Sequence, residues 1–323
     1  VYPPLPPGAP ITGIANETWT WVDVAGTKCA NGTPTGIGVN FTSKSDDVLI
    51  FLEGGGACWD GSTCWGATTS AVNLYGYGAA QFATDAQLGA TYTMNRLDPD
   101  NAFKDMNIVY VPYCTGDSHS GDATTTLSYA GIDHPTSFAG FTNVGFDLAR
   151  VVATFPNAKR VWLSGDSAGG FGSAFNFGRV QEAFPGARVD VLDDSGQPIA
   201  PDPTRWPTWK SAWNMQLPSD CAACADGPGG FVDYYATKYP SNRFGLISFA
   251  YDTVIPTFMN LTPTQFHDEL YALAGHMDAS WKNGGYFVLA GSSHVGLATP
   301  TPALKTWVTK MVTDDATWAS TKP

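Results

Sequence analysis

The chain has 323 residues, 43% hydrophobic and 14% charged, ample for a large buried core. It carries 17 Lys and Arg against 29 Asp and Glu, a net charge of −12. That balance argues against nucleic acid or an anionic membrane as partner, since both are held through cationic side chains, and it favours a neutral substrate. No apolar run approaches the ~18 residues needed to span a bilayer, so no membrane association is expected.

The opening Val1-Tyr-Pro-Pro-Leu-Pro-Pro7 lacks a charged-then-apolar leader and reads as a mature end after removal of a signal peptide. Residues 1–18 are expected to be extended. Short β-prone pieces at Thr18–Val24 and Gly38–Phe41, separated by Gly, Asn and Thr turns, predict the antiparallel edge of a sheet. Asp47–Glu53 is an apolar run closed by an acid, the pattern of a strand buried on both faces, and it leads into Gly54-Gly55-Gly56-Ala57-Cys58-Trp59. From Thr63 to Lys104 no clear period emerges, which predicts a long excursion over the top of the sheet. Asn107–Tyr113 is the next buried strand. The polar loop after it holds Asp117, His119 and Asp122, which could ligate a metal but read more readily as a hydrogen-bonded turn; no metal and no cofactor is expected.

Apolar positions Val144, Leu148, Val151 and Val152 follow the i, i+4, i+7, i+8 spacing of a helix packed on a sheet, over Asn143–Phe155. Strands are predicted at Arg160–Gly165, Ala187–Asp193, Phe244–Ala250 and Gly285–Ala290, with helical segments at Phe171–Phe184, Thr264–Ala274 and Trp307–Met311. Pro201–Asp233, with three tryptophans and a C-x-x-C, reads as an irregular cap or insertion. Strands alternating with helices predict a mostly parallel α/β sheet with helices on both faces, and no interdomain linker interrupts residues 1–323, so a single domain is expected.

Gly165-Asp166-Ser167-Ala168-Gly169 lies between a predicted strand and a predicted helix. A G-x-S-x-G in that context is a nucleophile elbow: the tight turn lifts the serine hydroxyl clear of the backbone and aims the following N–H at the reacting carbonyl. The hydroxyl needs a base, and the base an orienting acid, in the order Ser, Asp/Glu, His just after successive strands. Of the five histidines only His294 closely follows a strand beyond Ser167. For the acid, Asp252 follows the strand nearer the C-terminus; Asp193 and Asp194 are the other contenders, and Asp194 could instead shape the pocket or bond the elbow. The oxyanion requires convergent N–H groups, for which Ala168 and the Gly55-Gly56 turn are candidates. Six cysteines stand at 29, 58, 64, 114, 221 and 224. With no second pair or nearby histidines to make a zinc site, three disulfides in an oxidising compartment, extracellular or periplasmic, is the simplest account.

Together, Leu52-Glu-Gly-Gly-Gly-Ala-Cys58, Val111-Pro-Tyr-Cys-Thr-Gly-Asp117 with Ser120-Gly-Asp122, Ser164-Gly-Asp-Ser-Ala-Gly-Gly170, Asp194-Ser-Gly196, Tyr251-Asp252 and His294 resemble the pectin acetylesterase and Notum family of α/β hydrolases. The resemblance runs from residue 29 to about 297. It implies an α/β-hydrolase-like fold, a Ser167–His294–Asp252 triad, oxyanion donors at Gly55, Gly56 and Ala168, and the pairings Cys29–Cys114, Cys58–Cys64 and Cys221–Cys224. Where relatives often carry an aromatic before the cysteine matching Cys58, this chain has Gly56 and Ala57, with Trp59 after it. Where they often carry large apolar residues after Asp-Ser-Gly, it has Gln197-Pro198. Trp59, Gln197 and Val295 are the expected substrate-facing residues, in a pocket more open and polar than in lipid-deacylating relatives. The expected function is a secreted, monomeric serine esterase removing acetyl-type groups, with polysaccharide as the family-level substrate. A polyester or aromatic-ester hydrolase, or a non-catalytic binding protein on the same scaffold, are the alternatives.

Overall fold

The computed structural model describes residues 2–67 and 70–323. Among the described residues ten strands form: β1 Thr20–Lys28, β2 Pro34–Asn40, β3 Val48–Leu52, β4 Asn107–Val111, β5 Ala123–Tyr129, β6 Ile132–Phe138, β7 Arg160–Asp166, β8 Arg188–Asp194, β9 Phe244–Phe249 and β10 Gly284–Leu289. Eight of them make one sheet in the order β1-β2-β4-β3-β7-β8-β9-β10. β2 runs antiparallel to β1 and β4, and every pairing from β4 to β10 is parallel.

The central strands are buried on both faces, and β3 accordingly is apolar throughout. Val48, Ile50 and Leu52 of β3 pack on one side with Val109, Val161, Leu163, Val189 and Val191. Leu49 and Phe51 point the other way, with Ile108, Tyr110, Trp162 and Ile247. The first layer is closed by α4 Gly140–Thr154, α5 Ala168–Ala183, α7 Pro228–Lys238 and α9 Pro263–Ser280. The second is closed by α10 Pro302–Val312 and the segment 77–106. That segment holds the short helices α2 Ala79–Phe82 and α3 Gln87–Ala90, after α1 Gly61–Trp65. No described helix is long and apolar enough to cross a membrane.

All six cysteines are paired: Cys29–Cys114, Cys58–Cys64 and Cys221–Cys224. Residues 201–233 are more regular than their composition suggests. Trp206, Trp209 and Trp213 recur at helical spacing on one face of α6 Arg205–Trp213, and all three are buried. α8 Ile255–Met259 follows β9. The β5–β6 hairpin stands outside the main sheet.

Candidate active site

Ser167 sits between β7 and α5 with φ 53° and ψ −117°. Such a conformation persists in a non-glycine residue only where the surroundings enforce it. Here the Ser167 N–H donates to the Asp194 carbonyl at 2.8 Å. On the other side, a Cβ on Gly169 would collide with the Leu52 carbonyl, so β3 presses against the start of α5 with no room for a side chain. The turn after β3 continues from there. Gly54 donates its N–H to Asp166 Oδ1 at 2.8 Å, and Gly55 and Gly56 have φ 141° and 80°, a backbone that glycine adopts readily.

His294 lies five residues beyond β10, and its Nδ1 is 2.7 Å from Asp252 Oδ2. Asp252 is 1% exposed, and its Oδ1 accepts the Val254 and Ile255 N–H groups at 2.8 and 3.0 Å. A carboxylate so held acts as acceptor, so Nδ1 carries the proton and Nε2 keeps its lone pair. Val295 has φ 62°, a strained value for a β-branched residue. It is fixed by its N–H donating to Ser195 Oγ at 3.2 Å. Beyond it, Gly296 and Leu297 donate to the two Asp194 oxygens at 2.9 and 2.7 Å. Asp194 thus joins the serine turn, through its carbonyl, to the histidine loop, through its carboxylate.

The structure brings Ser167, His294, Val295, Gly55 and Gly56 to one open cleft of ≈ 690 Å³. Its outer wall comes from Val72, Asn73, Tyr77, Gln81 and residues 84–87. Ser167 and Gly56 also border, with Ala168, a separate recess of ≈ 20 Å³ lined by Phe171, Phe175, Trp209, Trp213, Ile255 and Phe258. That is room for little more than one water-sized group. The unperiodic segment 63–104 and the cap thus contribute lining that sequence reasoning did not single out. The 206/209/213 tryptophan spacing was the available signal for the recess; the outer wall offered none.

Two expected substrate-facing residues lie elsewhere. Gln197 is wholly buried and donates to Ser248 Oγ at 2.7 Å. Trp59 lies under the Arg205 guanidinium, 4.5 Å from its ring centroid, and borders neither the cleft nor the recess. The 117–122 loop is a network of separate bonds. Asp117 accepts from Thr115 and from the Gly140 N–H, and Asp122 accepts from Thr142. His119 Nε2 donates to the Glu53 carbonyl at 2.8 Å, and burial lowers its pKa to about 4.

Several carboxyls around the site are pushed upward, burial being the chief cause in each. Glu53 and Asp193 rise to about 8, and Asp166 and Asp194 to about 6. Asp85 adds to the effect on Glu53, and Asp194 to that on Asp166.

The fold is similar to that of the Wnt deacylase Notum from Drosophila, with a TM-score of 0.64 and 19% identity over 91% of this chain and 88% of that one. In sequence the chain is 30% identical over 175 residues to the palmitoleoyl-protein carboxylesterase notum2 of Xenopus laevis, a stretch that is 52% of this chain and 34% of that protein. It is 31% identical over 145 residues to NOTUM of Schmidtea mediterranea, covering 43% and 25% respectively. Human NOTUM matches at 25% over 174 residues, 52% of this chain and 34% of that protein. The matched stretches thus cover about a third or less of the length of these three sequence relatives. The family model for pectinacetylesterase matches residues 14–225, and the chain belongs to the pectinacetylesterase family.

Proposed function

We propose that the protein is a serine carboxylesterase that removes short acyl groups, acetyl foremost, from a polyhydroxyl alcohol such as a polysaccharide. The observation that carries this reading is the His294–Asp252 pair, 2.7 Å apart, in the cleft that also holds the strained Ser167 turn. Ser167 Oγ attacks the ester carbonyl while His294 Nε2 takes its proton; Asp252 holds the imidazole in the required tautomer and stabilises the imidazolium. The oxyanion is met by the N–H groups of Gly55, Gly56 and Ala168. Collapse of the tetrahedral intermediate breaks the C–O bond, and His294 gives its proton to the departing alcohol. Water then attacks the acyl-enzyme by the same route, releasing the acid and restoring Ser167.

The partition of the site supports the substrate class. A recess of ≈ 20 Å³ closed by Trp209 and Trp213 accepts a methyl group and excludes a long chain. The matched relatives are named for palmitoleoyl removal, a substrate this recess does not fit. The larger side, with amides, hydroxyls and carboxyls on its wall, suits an alcohol rich in hydroxyls. The disulfides support action in an extracellular or periplasmic compartment.

The test is hydrolysis of p-nitrophenyl acetate, butyrate and octanoate, with Ser167→Ala as control. The reading predicts acetate cleaved fastest and an inactive variant. A preference for octanoate would overturn the short-acyl assignment, and an active Ser167→Ala would overturn the mechanism.

A further inference from the structure

We infer that the open side of the site selects an uncharged glycan as the alcohol and rejects chains bearing uronate carboxylates. The inference rests on the esterase reading above and adds what the leaving alcohol must be. Among the described residues, those lining the cleft beside Ser167 and the groove that continues it past Val72 to Tyr75 include no Lys or Arg. The basic side chain described there, His294, is already paired with Asp252. A carboxylate on the alcohol would therefore find no guanidinium or ammonium partner, the usual means of holding such a group.

It would instead meet acids. Asp85 stands on the wall and cannot swing away. Tyr77 and Tyr110 hydroxyls donate to its Oδ2 at 2.6 and 2.9 Å, and the Gln87 N–H donates to Oδ1 at 2.9 Å. Glu53, at the cleft floor, is pinned by the Tyr113 N–H at 2.6 Å, with Gln87 Nε2 3.4 Å from its other oxygen. Asp166 completes the set. For a neutral sugar the same groups are useful, because hydroxyls donate to carboxyl oxygens and accept from the amides of Asn73, Gln81 and Gln87. Tyr75, 71% exposed and braced by Trp65 at 5.4 Å with the rings inclined 74°, offers a flat face to the apolar side of a pyranose further along the groove. Glu53 releases its proton near pH 8, so rejection of an anionic chain sharpens above that pH.

The deciding experiment compares initial rates on acetylated xylan oligosaccharides and acetylated galacturonan oligosaccharides of matched length, at about 20 mM and about 0.5 M NaCl, where screening differs strongly. The expected result is a kcat/KM at least about tenfold higher on xylan at low salt, narrowing several-fold at high salt because only the anionic substrate gains from screening. Asp85→Asn narrows the low-salt gap; should that variant fail to fold, the salt series on the unaltered protein decides alone. Equal or faster turnover of galacturonan at low salt, or a gap indifferent to salt, overturns the selectivity while leaving an active esterase. Absence of p-nitrophenyl acetate hydrolysis overturns the esterase reading instead, and the selectivity with it.

Discussion

The two sides of Ser167 are made of different material. The recess behind it is part of the hydrophobic core, walled by side chains of α5, α6 and α8 that also hold those helices together. The wall in front belongs to residues 72–87, which contain turns, the four-residue helix α2 over 79–82 and the first residue of α3, and leave Val72, Tyr75, Gln81 and Thr84 exposed. A core wall can be enlarged only at a cost in stability, so it acts as a fixed size limit. A loop wall tolerates substitution, so the side proposed to take the alcohol is the half of the site that can be retuned.

Substitutions that break or sharpen this contrast can be ranked by size. Ser167→Ala silences both sides, with an expected loss of about 10⁴-fold or more in kcat on any ester while the circular-dichroism spectrum is kept; turnover near the unaltered rate would dissolve the comparison altogether. Loosening the loop wall alone is next. Asn31, two residues after Cys29, donates to the Leu74 and Tyr75 carbonyls, so the Cys29–Cys114 bridge anchors that wall. Replacing both cysteines by alanine releases a loop with a sequence separation of 85 and should lower unfolding free energy by about 4–5 kcal/mol in a denaturant titration. It should also raise KM for oligosaccharides more than for p-nitrophenyl acetate, and equal effects on both would deny the anchor. Phe258→Ala opens the recess from its half-buried edge. The butyrate-to-acetate ratio of kcat/KM should then rise about tenfold, the scale set by a methylene or two in an apolar pocket. An unchanged ratio would mean the acyl group lies elsewhere. Tyr75→Ala is the mildest, about 1 kcal/mol or a several-fold rise in KM for oligosaccharides, and a flat response would remove Tyr75 from the groove.

The buried carboxyls give the site a pH signature in stability. Glu53, Asp193, Asp166 and Asp194 have folded pKa values above their unfolded ones, so their contribution is fully present below about pH 4 and is lost as pH rises through about 6 and then about 8. His119, lowered to about 4, acts oppositely between about 6.5 and 4. With four groups against one, Tm should fall from pH 5 to pH 8; a rise across that window would show that these groups are charged in the fold.

The sheet was readable because β3 is an unbroken apolar run and β4, β7 and β9 each hold three or more consecutive buried residues, a pattern imposed by cover on both faces. The serine turn was readable because a G-x-S-x-G between strand and helix has few other uses. The β5–β6 hairpin was not. Thr124–Thr126 are exposed, so no alternation appears, and the only sign is the turn at Ala130-Gly131, with φ 50° and 79°. α6 was hidden by an insertion-like composition although its tryptophans keep helical spacing. Gln197 misled because a polar residue beside a site motif looks exposed, whereas here it is used to bond Ser248 inside the core.

The contact between Gly169 and the Leu52 carbonyl has one more consequence. The candidate centre is joined main chain to main chain by Ser167 on Asp194 and by β3 against the first turn of α5. Positions fixed this way are indifferent to which side chains occupy the surrounding loops. A lineage could therefore exchange residues 72–87 or the 255–258 segment, acquire a new acid or alcohol, and inherit the chemistry intact.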